Sequence, residues 1–144
     1  MNKQELIDTL KSQHRQLRAD LTKAINEAKE GVVKNETEIL FFLAKFKEDL
    51  KVHITLENEV FYPDYLAIKL KRGEDLAQTS QFVDEMKKIG YGVNEFLDKY
   101  DTPEELEDIK RDFVKDLSEI IKVLEIRIST EEDSVFDIYL LMKD

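Results

Sequence analysis

Apolar residues recur along this chain at alternating steps of four and three, the pattern of helices that bury one face. The first stripe runs Leu6, Leu10, His14, Leu17, Leu21, Ala24 and Ala28 and stops before Gly31, a residue type that caps helix C-termini. The second starts near Asn35 and Thr37, both N-cap types, and reads Ile39, Leu43, Phe46, Leu50, His53, Glu57 and Val60. Pro63 is expected to kink or end that helix, with Tyr65, Leu66, Ile68 and Leu70 adding another turn or two. After Gly73 the third stripe is Phe82, Met86, Ile89, Val93, Phe96 and Tyr100; within it Gly90 and Gly92 flank Tyr91 and open room for a close neighbour. The fourth begins with Thr102, Pro103 and Glu105, an N-cap, a first-turn proline and a capping-box glutamate. It continues Leu106, Ile109, Phe113, Leu117, Ile120, Leu124, Arg127, Glu131 and Val135.

Four amphipathic helices joined near Gly31, Gly73 and Asp101, with no sustained strand alternation, predict an all-α fold: an antiparallel up-down-up-down four-helix bundle. Helices of about 25 residues are roughly 40 Å long. A chain of 144 residues suits one core, so residues 1–144 read as a single domain.

A formal net charge of −10 disfavours nucleic acid and anionic membrane surfaces as partners. Without cysteine there is no disulfide, thiolate zinc site or iron–sulfur ligation. The opening MNKQELIDTL has no apolar signal core, and the longest apolar run, Ile39 to Ala44, is far too short for a bilayer, so the expected location is cytoplasmic.

Five polar residues interrupt the seams: His14, His53, Glu57, Arg127 and Glu131. Burying an unpaired polar group costs on the order of 2–7 kcal/mol, so something must balance them. Either a metal ion accepts the imidazoles and carboxylates, or the charges pair among themselves.

The two halves of the chain also align. His53-Ile54-Thr55-Leu56-Glu57 falls on Arg127-Ile128-Ser129-Thr130-Glu131, then Tyr62 on Phe136 and Tyr65 on Tyr139; Leu10, His14, Leu17 and Leu21 fall on Phe82, Met86, Ile89 and Val93. A two-fold pseudo-symmetric site, equipped on one side and stripped on the other, accounts for this.

His14 with Leu17, the run His53-x-x-x-Glu57 followed by Val60-Phe61-Tyr62-Pro63, and the ending Glu131-Glu132-x-x-Val135-Phe136 together resemble the hemerythrin-like (HHE cation-binding) family over nearly the whole chain. The resemblance implies a bundle whose core holds iron through histidines and two bridging carboxylates. It maps His14 and His53 onto the histidines of one iron, and Glu57 and Glu131 onto the bridging carboxylates. Ligands of the other iron fall at Phe82, Met86 and Arg127, where no histidine stands. That removes the basis for an oxygen carrier and leaves one half-site.

Two imidazoles and two carboxylates suit one iron, manganese or zinc ion. In the opposing, metal-free reading a protonated histidine and the Arg127 fork, bridging both glutamates, neutralise the cluster, and Arg127→Ala then costs about 3 kcal/mol or more. Three functions follow: metal handling or oxygen and redox sensing at a half-site; a structural or regulatory interaction module without metal; and a mononuclear non-haem metal enzyme, for which no substrate pocket or general base is readable. Protein partners and oligomeric state are not encoded legibly.

Other features read as ordinary packing. Met86 is core filler. Phe41, Phe42, Phe46 and Phe61 are packing residues. Tyr62, Tyr91 and Tyr139 pack their rings and extend their hydroxyls to solvent. The acidic runs Glu104-Glu105 and Glu131-Glu132-Asp133 are solvated, Glu131 excepted. Two seam histidines leave no Ser–His–Asp arrangement, and no Gly-rich phosphate loop exists.

Overall fold

A computed structural model describes residues 1–28, 36–100 and 110–143. The signals at Gly31, Asn35, Asp101, Thr102, Pro103, Glu105, Leu106 and Ile109 lie outside them. The architecture is the expected all-α four-helix bundle. Helix α1 is Lys3–Glu27, and α2 is Glu36–Leu56, extended through a π-helical turn (Glu57–Phe61) into α3 (Tyr62–Lys71). Helix α4 is Ala77–Lys99, and α5 is Lys110–Thr130, extended through a second π turn (Glu131–Val135) into α6 (Phe136–Leu141). Among the described residues α1 packs against α2 and α5, and α4 against the same two, which closes the ring.

Local chemistry sets the ends. Asn2 accepts the Glu5 backbone N–H (2.8 Å) while the Glu5 carboxylate accepts the Asn2 backbone N–H (3.2 Å), a capping box that starts α1. Thr37 lies inside α2 rather than capping it. Gly73, at φ +72°, ends α3: its N–H bonds the Leu70 carbonyl and the next N–H, of Glu74, reaches back to Lys69. Of the two glycines in α4, Gly90 meets the close neighbour. A Cβ there would lie 3.3 Å from Ile54 Cδ1, whereas Gly92 faces open space.

The core divides in two along the bundle. One apolar cluster gathers Leu17, Leu21, Phe46, Leu50, Val93, Phe113 and Leu124; the other gathers Leu6, Leu10, Phe61, Tyr65, Met86, Phe136 and Tyr139. Three of the four helical rods cross from one cluster to the other where their seams turn polar: His14 lies between Leu10 and Leu17, His53 and Glu57 between Leu50 and Phe61, Arg127 and Glu131 between Leu124 and Val135. Helix α4 crosses from Met86 to Val93 without a charged or imidazole side chain on its seam. Met86 is buried, as expected of core filler.

Two expectations of burial and one of helix continuity need correction. Phe41 is 62 % exposed. Val60 is also exposed, because the π turn adds a residue to the helix and presents Phe61 inward instead. Pro63 does not end the helical run, which continues through α3 to Lys71. It sits in the first turn of α3, directly after the π turn, where its missing N–H is tolerated.

Candidate metal centre

His14, His53, Glu57 and Glu131 are all buried and meet in the layer between the two apolar clusters. Each contributes one potential ligand atom, and these four atoms lie within 4.8 Å of one another. His14 Nε2 is 3.1 Å from His53 Nε2, 3.2 Å from Glu131 Oε1 and 3.9 Å from Glu57 Oε1. His53 Nε2 is 2.7 Å from Glu57 Oε1. Ligands held about 2.1 Å from one ion at tetrahedral angles stand about 3.4 Å apart, and the observed separations straddle that value.

The outer nitrogens explain the rings' orientation. His14 Nδ1 donates to Glu132 Oε2 at 2.7 Å, and His53 Nδ1 donates to Gln13 Oε1 at 2.7 Å. Arg18 stands behind Glu132, with Nη1 3.8 Å from the same carboxylate oxygen. With each Nδ1 committed as a donor, two Nε2 lone pairs face one another 3.1 Å apart. Neutral rings in that arrangement repel, so a proton or a cation belongs between them. Glu57 Oε1 tells the same story: it is buried without a properly directed hydrogen bond although His53 Nε2 is only 2.7 Å away. The donor set therefore fits a divalent ion, and outer-sphere hydrogen bonds of this kind accompany histidine ligands generally.

Electrostatics describe the metal-free state. Burial alone would lower the His14 pKa, but hydrogen bonds with Glu131 and Glu57, and then Glu132, outweigh it and raise it to about 9. Glu131 is pushed up to about 7 by burial and by the Glu57 charge. At Glu57 burial acts upward but is outweighed by His53 and by the bond with His14, which hold the carboxyl well below the usual carboxylate range. At neutral pH a proton on His14 thus occupies the place a cation would take.

Each glutamate opens a π turn. The Tyr62 N–H bonds the Glu57 carbonyl five residues back, and the Phe136 N–H does the same to Glu131. Such insertions are frequent at functional positions. Their equivalence in the two halves agrees with the internal alignment of Glu57 with Glu131.

Several side chains differ from expectation. The Tyr62 hydroxyl is buried and donates to Glu131 Oε2 at 2.6 Å, which turns Oε1 toward His14; burial and the Glu131 charge push its pKa far up. Tyr139 donates to Asp64 at 2.6 Å, whereas Tyr91 is exposed as expected. Glu132 is not merely solvated, since it orients His14. Glu85 faces solvent and bonds Gln81 (3.4 Å), so α4 lines the cavity at the cluster with Met86, Ile89, Gly90 and Val93 and with no carboxylate or imidazole. Phe82 packs its ring on Tyr62. Arg127 does not bridge the glutamates: among the described residues no ion pair joins it to either, and its buried Nη1 has no hydrogen-bond partner. Its guanidinium instead borders the cavity that the ligand atoms face, of about 30 Å3. That is room for a small occupant, since one water needs roughly 10–15 Å3.

A sequence profile of the hemerythrin HHE cation-binding domain matches residues 5–139, which takes in all four clustered residues. No curated protein and no solved structure matches the chain significantly. Among the described residues no helix is long and apolar enough to cross a membrane.

Proposed function

The chain belongs to the hemerythrin HHE cation-binding family, and from that premise we propose that it binds one divalent transition-metal ion through His14, His53, Glu57 and Glu131. One observation carries the reading: two imidazole Nε2 atoms face each other at 3.1 Å while both Nδ1 atoms are held by acceptors. The N/O donor set suits ferrous iron, with manganese and zinc as competitors. A half-site serves metal handling or the sensing of oxygen or redox state rather than oxygen carriage, since Phe82, Met86 and Arg127 supply no nitrogen ligand for a second ion of the family type.

When bound, such an ion supplies Lewis acidity and, if it is iron, one-electron chemistry. The protein's own groups prepare the site. Glu132 and Gln13 fix both rings, Tyr62 aims Glu131, and apolar clusters lie above and below. On binding, the proton on His14 Nε2 must leave.

The test is metal analysis of purified protein and anaerobic titration of metal-free protein with ferrous iron. One equivalent is expected to bind to the native chain, and none to His53→Ala. Background-level binding by the native chain refutes the proposal.

A further inference from the structure

Beside the ligand cluster a second, larger pocket opens between α2 and α4. Its volume is about 340 Å3, within the range of small-molecule sites, roughly 300–1,000 Å3. Its floor is made of Ile54, Glu57, Met86, Gly90 and Arg127, and the exposed Lys87 and Tyr91 stand at its rim. The floor is shared with the cavity at the ligand cluster, so Arg127 borders both spaces.

Arg127 is the anomaly in this part of the molecule. Glu57 faces His53 and His14, and Glu131 faces His14 and Tyr62. Arg127 carries a permanent charge, yet its buried Nη1 has no hydrogen-bond acceptor. A buried unsatisfied donor costs about 1–3 kcal/mol, and a charged one more. An acceptor delivered from the pocket would remove that cost. The apolar faces of Ile54 and Met86 next to the guanidinium suit a ligand with a short hydrocarbon part and a single anionic end. A polyanion is disfavoured, because the chain as a whole has net charge −10.

We propose that this pocket binds a small monocarboxylate, with its carboxylate on Arg127 and its hydrocarbon part on Ile54 and Met86. Carboxylate binding does not require a bound cation, but Glu57 lines this pocket as well as the cluster, so an ion held there would offset the Glu57 charge beside the incoming carboxylate. Gly90 keeps the floor open: any side chain there projects toward Ile54, whose Cδ1 would stand 3.3 Å from the added Cβ.

The experiment titrates the metal-free chain with sodium butyrate, and in parallel with butyramide as the uncharged isostere, by calorimetry and by two-dimensional NMR. Butyrate is expected to saturate one site with a Kd of roughly 1 mM, shifting the Gly90 amide and the Met86 methyl. Butyramide and Arg127→Met should each weaken binding about tenfold or more, the effect of one charged hydrogen bond. Arg127→Lys should retain part of it, and Gly90→Leu, which keeps the charge and fills the floor, should block it. Circular dichroism checks that each variant is folded; if Arg127→Met is not, Gly90→Leu and the amide comparison decide. Absence of saturation, equal binding of butyramide, or native binding by a folded Arg127→Met overturns the proposal. Butyrate binding retained in His53→Ala, where the cation is lost, keeps this outcome separate from that of the metal site.

Discussion

Glu132 shows how much of the centre depends on side chains that hold others in place. Its carboxylate orients His14 and is itself approached by Arg18. Removing an outer-sphere partner of this kind typically costs about 10–100-fold in metal affinity. Glu132→Gln is therefore expected to weaken iron binding by that factor without changing its stoichiometry, as measured by competition with a chromophoric chelator. The four ligand candidates were legible because a polar residue on an apolar stripe is conspicuous. Gln13 and Glu132 were not, since each sits one position beside a seam residue, where periodicity looks the same as for a solvated side chain. The Arg127 bridge failed for another reason: spacing places a charge on a face but says nothing of whether its fork reaches a carboxylate. Protonation gives a further test. The His14 pKa, raised from 6.5 to about 9, makes a contribution to metal-free stability that is complete below pH 6.5 and lost as pH rises through about 9. Glu131, raised from 4.5 to about 7, acts in the same direction at lower pH. The melting temperature of metal-free protein should therefore fall from pH 6.5 to about 9, while affinity for the cation, which displaces those protons, should rise over the same interval. A melting temperature that climbs across it would place the His14 proton elsewhere.

The π turns belong to the scale of elements. Residues His53, Glu57, Phe61 and Tyr65 are all buried, three successive steps of four. In an uninterrupted α-helix each such step drifts by about 40° from the face, roughly 120° in all. The wider π turn takes up that drift. Glu131, Val135 and Tyr139 repeat the device in the other half. The signal was present in the sequence as consecutive fours where fours and threes should alternate, but a stripe ending at Val60 fits the regular repeat equally well, and it was the regular repeat that misplaced Val60. Helix existence, order and facing were legible because they rest on dozens of residues; the insertion rests on one. Loss of Asn58 would merely close the turn to plain α-helix with Phe61 and Tyr65 still facing in. A variant with one alanine inserted after Asn58 should instead rotate everything beyond it by about 100° and turn Phe61, Tyr62 and Tyr65 from the core. Near-native helicity by circular dichroism, with a lower melting temperature and no iron binding, is the expected result. Native binding would show that the turn is not what sets the register.

For the molecule as a whole, ligation and folding are linked. A ligand at about 100 times its Kd that binds only the folded state adds about 2.7 kcal/mol, which for a chain of this size raises the melting temperature by roughly 5–11 °C. Differential scanning calorimetry of the native chain with and without ferrous iron should show that increment, and His53→Ala should not. The net charge of −10 favours the approach of cations and repels large anions, in keeping with a buried centre that small ions reach. The buried apolar groups among the described residues, finally, fall into two clusters with the polar layer between them. Whatever occupies that layer fastens one end of the rod to the other. With the rivet in place the ends should exchange their amide hydrogens as a single cooperative unit; with only a labile proton there, each end is free to open on its own.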